Sequence, residues 1–539
     1  MYLKTKSAFA LLMALMFFLC FALAGQSALA AESGEGTIVN CKKAVNVRSG
    51  PGTGYKKLGT APLGAKYPVL ETLSGWYKIS YQGKTGYVSK SYMAFSAAAG
   101  GNPSAPPAPS ASGVTGTVVN CTSAVNVRSG PGTGFQKLGT AKKGAAYPVL
   151  GQEGDWYKIA YSGKTAYIHT SYLSLRSDAA EPAADTSAVV SGYYASWAAH
   201  SGFTPLDLKN AGQLTHIFYA FANIGSDLKV TMGDPKVDPA NFQELIKLKE
   251  RYPQLKTILS VGGWTWSARF SDAASTSARR VAFADSAVNF MVKYGFDGID
   301  IDWEFPVSGG LSSNKTRAAD KGNFTLLMKT LREKLSARGA LDGKRYLLTF
   351  AGPSDAAVLK NFELKEVAPY VDFALAMTYD IHGGAGKYTD FNAPLYKPAE
   401  ASPQFQWSAD DAVNAWLNAG FPREKLTLGV PFYGRQFTKA DAGGNGLYQT
   451  FYKASSVSYD VILAQYLSDP SYTRYFHPDA RVPWLYNGST FLSYDDAQSI
   501  AEKGAYIKAR GLRGAGIWEL SQNADGTLLD ALYNGMGGK

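Results

Sequence analysis

Residues 296 to 306 read Phe-Asp-Gly-Ile-Asp-Ile-Asp-Trp-Glu-Phe-Pro, with four carboxylates, Asp297, Asp300, Asp302 and Glu304, on an otherwise apolar run. Asp and Glu are poor strand formers, yet Ile-Asp-Ile-Asp-Trp-Glu has the alternation of a strand. Side chains alternate across a strand, so Asp300, Asp302 and Glu304 share one face, while Asp297 is off this parity and shapes the strand entry. Two ionised carboxylates about 6–7 Å apart repel by about 2–3 kcal/mol at an effective dielectric near 20. The ladder therefore favours shared protons and raises at least one pKa. A carboxyl that stays protonated near neutral pH is what a general acid requires. A solvated edge strand would not intersperse Ile and Trp so regularly. A metal site would want His or further oxygens, and no two of the five His stand in ligand spacing. Neither a Ser nucleophile elbow nor a phosphate loop is present. No metal and no cofactor are expected.

A ladder of this kind needs a scaffold that turns one strand face inward. From Val190 onward, apolar runs rich in Val, Ile, Phe and Tyr alternate with helical patterns such as the stretch 239–253. Eight runs read as strands: 191–196, 216–222, 256–261, 298–304, 346–351, 371–379, 425–433 and 514–519. Strand and helix alternating over residues 190–537 predict an α/β fold, a (β/α)8 TIM barrel. In that fold the C-terminal ends of the strands carry the active site. Here those ends hold Ser260-Val261-Gly262-Gly263-Trp264, Asp300 to Glu304, Met377-Thr378-Tyr379-Asp380, Tyr433-Gly434-Arg435 and Trp518-Glu519. The connection from Arg435 to the eighth strand is too long for a plain loop. Its Tyr- and Phe-rich part, residues 436–490, reads as an α+β insertion subdomain forming a wall beside the cleft.

Asp297-Gly298-Ile299-Asp300-Ile301-Asp302-Trp303-Glu304 resembles the DxxDxDxE signature of glycoside hydrolase family 18, the chitinases. Ser260-Val261-Gly262-Gly263 is similar to that family's second motif, and Met377 to Asp380, Tyr433 with Arg435, and Trp518 extend the match. The resemblance implies retaining, substrate-assisted cleavage of β-1,4 links between N-acetylglucosamine units. Glu304 would be the general acid and then the base. Asp302, sharing charge with Asp300, would orient the acetamido nitrogen. Tyr379 would hydrogen-bond the acetamido oxygen, and Asp380 would help distort the ring. Trp518 would form the floor under the reacting sugar. Trp264, Trp303 and Trp484 are candidates for stacking on other sugars, with core packing as the competing role for such tryptophans. Met377, Tyr433, Arg435, Tyr194 and Phe221 complete the expected substrate-binding set. Two alternatives remain at this point: a peptidoglycan N-acetylglucosaminidase on the same fold, and a carbohydrate-binding lectin without catalysis, although such relatives usually lose the acid. Endo- and exo-action are not distinguished.

The N-terminal part of the chain has a different character. Lys4 and Lys6 precede an apolar stretch from Ala8 to Leu23 that ends in Ala28-Leu29-Ala30, the pattern of a secretory signal peptide over residues 1–30. No later segment is long and apolar enough to cross a bilayer, so a secreted, extracellular monomer is expected. Residues 40–61 return almost unchanged as 120–141, an offset of 80 residues. Short alternating runs broken by Gly and Pro predict a small all-β barrel for each copy, 36–95 and 116–175. On Ala44 to Pro51 with Gly83 to Val88, and their counterparts at Ala124 to Pro131 and Gly163 to Ile168, the copies resemble bacterial SH3-like domains. That resemblance implies binding to bacterial cell wall. Pro/Ala/Ser-rich tracts at 96–115 and 176–189 read as extended, mobile linkers.

The formal net charge of +11 is lopsided. The first repeat carries nine Lys/Arg against one Glu, and the second six against two acids; residues 176–539 hold 37 basic and 38 acidic residues. The excess thus belongs to the repeats, which suggests an anionic wall polymer as partner rather than nucleic acid. Beyond the leader only Cys41 and Cys121 remain, at equivalent repeat positions. Secretion permits them to pair, and two free thiols fit equally well.

Overall fold

The computed structural model describes residues 34–41, 43–73, 75–97, 113–177, 182–400 and 402–538. The expected leader and most of the first linker lie outside these residues.

The first repeat is a seven-stranded antiparallel sheet built from strands between Gly34 and Ala97. Its inward positions, among them Val45, Val47, Val69, Ile79 and Val88, form one small apolar core. The period-two burial of Ala44–Arg48 follows from alternating Ala-Val-Asn-Val-Arg. Strands recur at matching places in the second repeat, Val114–Val118, Ala146–Glu153, Trp156–Tyr161, Lys164–His169 and Leu173–Ser177. Cys41 and Cys121 are unbridged and half-buried.

Eight parallel strands follow: β1 (Val189–Ala195), β2 (His216–Ile224), β3 (Lys256–Gly262), β4 (Gly298–Asp302), β5 (Leu347–Pro353), β6 (Phe373–Met377), β7 (Leu426–Pro431) and β8 (Gly514–Trp518). Each pairs with the next in sequence, and β1 pairs with both β2 and β8, so the barrel closes. Every residue of β1, β4 and β7 is buried, as expected for strands covered on both faces. Helices α1 (Asp238–Arg251), α2 (Ser277–Lys293), α3 (Asp320–Asp342), α4 (Ala409–Asn418), α5 (Ala497–Arg510) and α6 (Thr527–Gly535) cover the outside. Their starts carry the expected signals: Thr276, Ser408 and Asp496 accept hydrogen bonds from first-turn N–H groups through their side chains. Gly511, at φ 63°, ends α5 in the left-handed conformation that glycine adopts without penalty.

The insertion is a five-stranded antiparallel sheet whose first strand is Tyr433–Thr438 and whose last is Thr490–Ser493. The run 425–433, expected as one barrel strand, is therefore two elements: β7 stops at Pro431, and the Phe432 N–H donates to the Trp518 carbonyl. Tyr433 and Arg435 belong to the insertion sheet, which brings them over the barrel mouth.

Residues 113–126 and 140–177 of the second repeat belong to one compact unit with the barrel. Lys334 of α3 is only 7% exposed; its ammonium reaches Ser174 Oγ, the Leu175 carbonyl (3.0 Å) and Asp285 of α2 (3.3 Å). Arg338, one turn along, donates to Gln152 and to Asp342. Tyr157 of the repeat is buried. The second tract, expected to be mobile, is tied down over its described part: Arg345 donates to the Pro182 carbonyl and Arg513 to that of Asp185. The backbone polar groups of a Pro/Ala-rich segment lack a ladder partner, and here barrel guanidinium groups supply one.

Candidate active site

The parallel register sets the floor of the site. Ser260 of β3 and Thr349 of β5 flank Asp300 of β4 directly. Their hydroxyls donate to Asp300 at 2.7 Å each, and the Tyr193 hydroxyl of β1 donates at 3.1 Å. Asp300 is 1% exposed; burial raises its pKa and these three donors pull it back. Asp302 stands one step nearer the mouth. Burial, then the charges of Glu304 and Asp300, push its carboxyl well above the usual range. Its Oδ1 is buried without a hydrogen-bond partner in the protein. Such an atom costs about 1–3 kcal/mol unless something supplies a donor.

Glu304 lies just past the end of β4. Its N–H donates to Ser267 Oγ (2.8 Å), and its carbonyl accepts from Asn314 Nδ2 (2.9 Å). Ser267 Oγ in turn donates to the carbonyls of Gly263 and Asp302. Glu304 is thus held by its backbone, which leaves its carboxyl facing the cleft. Burial, reinforced by the Asp380 carboxylate, raises its pKa to about 8. Asp380 itself has φ 53° and accepts from the Tyr433 hydroxyl (2.6 Å) and from Arg435. A cation and a phenol therefore hold the Asp380 carboxylate beside Glu304. The glycines after β3 are dictated by crowding. Gly262 has φ 109°, and a Cβ there would stand 2.3 Å from the Asp302 carbonyl oxygen and 2.5 Å from the Phe270 ring.

A cleft of about 760 Å³ opens above these groups. Trp518, Phe221, Trp264, Met377, Tyr379 and Arg435 line it, together with Asp302, Glu304 and Asp380. Trp518 stacks on Phe221 with ring centroids 5.7 Å apart, and Tyr379 meets Tyr433 edge-on. Trp264 is 47% exposed at the rim. The peptide bonds Ala220–Phe221, Glu304–Phe305 and Trp518–Glu519 are cis.

Three expected sugar-contacting residues are elsewhere. Tyr194 is fully buried on the helix side of β1, where its hydroxyl donates to the Phe203 carbonyl; its neighbour Tyr193 is the one that faces the cleft. Trp303 is 1% exposed and stacks on Phe270, because it alternates with the acids and so points outward from the barrel. Trp484 is buried in the core of the insertion sheet, stacked on Tyr475 with its indole N–H on the Asn445 carbonyl. Conversely, Tyr193, Ser267, Asn314, Thr349 and the rim residue Trp197 were not singled out by their spacing. Tyr193 and Thr349 lie in runs that read as strands, but nothing in those runs marks their side chains, and Ser267, Asn314 and Trp197 lie in no such run.

Glu400, His477 and Asp479 are the one group among the described residues close enough together to hold a metal ion. His477 Nδ1 accepts the N–H groups of Asp479 and Ala480, and Nε2 lies 2.7 Å from Glu400. Both ring nitrogens already have partners, and the arrangement is accounted for as a structural clasp.

The family model of glycosyl hydrolases family 18 matches residues 189–523, and that of the bacterial SH3 domain matches 43–94 and 123–174. Chitinase A1 of Niallia circulans is 43% identical over 410 residues, 65% of this chain and 58% of that protein. Chitotriosidase-1 of Mus musculus is 36% identical over 326 residues, 59% of this chain and 68% of that protein. Among solved structures, a glycoside hydrolase family 18 N-acetylglucosaminidase from Paenibacillus barengoltzii has 37% identity and a TM-score of 0.60 over 65% of this chain and 99% of its own. The chain spans a little over half the length of the first of these relatives. The match covers all eight barrel strands, the insertion and the acid ladder, and the chain belongs to glycosyl hydrolases family 18.

Proposed function

We propose that the protein is a secreted chitinase that hydrolyses β-1,4 bonds between N-acetylglucosamine units with retention, by a substrate-assisted mechanism. The observation that carries this reading is the pairing of Glu304, protonated up to about pH 8, with the unpartnered Oδ1 of Asp302 below it. In family 18 the second carboxylate is not the nucleophile. Glu304 would give its proton to the glycosidic oxygen as that bond breaks. The acetamido oxygen of the sugar would attack the anomeric carbon and form an oxazolinium ion. The acetamido N–H would supply the donor that Asp302 Oδ1 lacks, and the Tyr379 hydroxyl would donate to the acetamido oxygen. Glu304, now ionised, would take a proton from water as the water opens the oxazolinium ring. Trp518, stacked on Phe221, offers a flat floor for the reacting sugar.

A peptidoglycan N-acetylglucosaminidase is the second reading, favoured by the two repeats that match the bacterial SH3 model. In either case the basic repeats would hold an anionic cell-wall polymer. The deciding experiment incubates wild type and Glu304→Gln with colloidal chitin and, separately, with purified peptidoglycan, and identifies soluble sugars by mass. Release of N-acetylglucosamine dimers from chitin by wild type alone is the expected result. Release only from peptidoglycan would replace chitin as substrate, and turnover by Glu304→Gln within tenfold of wild type would remove Glu304 from the acid role.

A further inference from the structure

Between β6 and α4 the chain runs through Ser402–Trp407 without regular secondary structure. Its side chains nevertheless alternate. Gln404 and Gln406 both turn inward and donate to Oδ2 of Asp390, at 2.6 and 2.8 Å. Asp390 is fully buried, and His382, two residues after Asp380, lies 3.7 Å from the same oxygen. The two alternate residues, Phe405 and Trp407, turn the other way and stack on each other with centroids 5.9 Å apart and planes 24° apart. Trp407 is fixed by its indole N–H, which donates to the Ser354 carbonyl at 3.0 Å. Phe405 is 77% exposed, the most of any large apolar residue described.

An exposed apolar side chain alone needs no explanation. Phe405 differs in two respects. A buried carboxylate with two amide donors holds its backbone so that the ring faces out. The ring it stacks on donates to the carbonyl of Ser354, which with Asp355 lines the cleft. The stacked pair is thus continuous with the cleft wall.

We infer that Phe405, backed by Trp407, is a binding platform for a sugar ring of the polymer on the outer side of the cleft wall formed by Ser354 and Asp355. The inference rests on the proposed function for the identity of the ligand. The apolar C–H face of a pyranose matches a flat aromatic face, as the rings in the cleft do for nearer sugars. The platform acts only on chains long enough to reach it.

The test titrates N-acetylglucosamine trimers and hexamers into Glu304→Gln and into Glu304→Gln combined with Phe405→Ala, by calorimetry. Hexamer Kd is expected to rise five- to tenfold with the Phe405 change, with trimer Kd within twofold, and Phe405→Tyr should restore it. In the otherwise wild-type enzyme, Phe405→Ala should raise KM for the hexamer and leave kcat and trimer hydrolysis unchanged. An unchanged hexamer Kd would overturn the platform. Tight, Phe405-dependent hexamer binding without hydrolysis by wild type would overturn the proposed activity and keep the platform; absence of hexamer binding would overturn both.

Discussion

Glu304 carries a cost that a single substitution exposes. Its pKa rises from 4.5 in the unfolded chain to about 8 in the fold, chiefly through burial. Below pH 4.5 both states are protonated and the group is neutral to stability. Between 4.5 and about 8 the unfolded chain has released its proton and the native state has not, so stability falls as pH rises. Above 8 the native state carries the charge too and the slope ends. The full shift corresponds to nearly 5 kcal/mol at about 1.4 kcal/mol per unit, and screening at a half-buried head group reduces this to about 2–4 kcal/mol. Glu304→Gln keeps the shape of the protonated acid and removes the titration. The variant should therefore match wild type at pH 4.5 and exceed it by about 2–4 kcal/mol at pH 9, a Tm gap of roughly 3–5 °C for a domain of this size. Tryptophan fluorescence reports on the barrel, since eight of the ten Trp lie in residues 190–537. A gap of the same size at pH 4.5 and pH 9 would refute the reasoning, because a packing effect does not titrate.

Three further outcomes follow from the same geometry. Asp302→Asn removes one member of a coupled pair and should lower kcat at least 100-fold, moving the alkaline limb of kcat/KM to lower pH; pH–rate profiles on N-acetylglucosamine oligomers check this. Tyr193→Phe takes one of three donors from Asp300 and should cost roughly 1 kcal/mol, seen as a five- to tenfold fall in kcat with KM nearly constant. Lys334→Met leaves Asp285 buried without its cation and should destabilise the barrel by about 3–5 kcal/mol in denaturant unfolding at pH 8, with the loss shrinking as pH falls, since burial raises the Asp285 pKa.

The strand faces explain what the sequence reveals and what it hides. On β4 the acids themselves mark the parity, so one face could be read directly. The same alternation excludes Trp303 from the cleft, since it sits between Asp302 and Glu304. On β1 no such marker exists. Every residue from Val189 to Ala195 is buried, because a parallel barrel strand is covered by helices outside and packed inside. Tyr193 and Tyr194 are then indistinguishable by pattern, and only the closed register puts the first over Asp300. Trp484 fails differently. Pro483–Tyr486 is buried at all four positions as an interior strand of a separate sheet, so an aromatic in the insertion is no indication of cleft contact. Ser267 and Asn314 act on Glu304 through its backbone, a role that side-chain chemistry in a sequence does not announce.

Docking of the second repeat bears on what the repeats can bind. If the repeat met the barrel through its own cations, attachment and anion binding would compete. The contacts run the other way: Lys334 and Arg338 come from the barrel, and the repeat answers with Ser174 Oγ, the Leu175 carbonyl and Gln152. None of the repeat's six basic residues takes part in these bonds, and Lys137, Lys142, Lys143 and Lys164 are exposed. Its positive charge thus stays clear of these contacts. Removing the repeats therefore does two separable things. It strips the basic surface, and it uncovers Lys334 and Arg338 on α3. A truncation that loses wall retention and barrel Tm together would not separate these effects. Neutralising the four exposed lysines, with the first repeat left basic, should weaken retention without changing Tm, and a matching fall in Tm would show that the charge serves the fold rather than a partner.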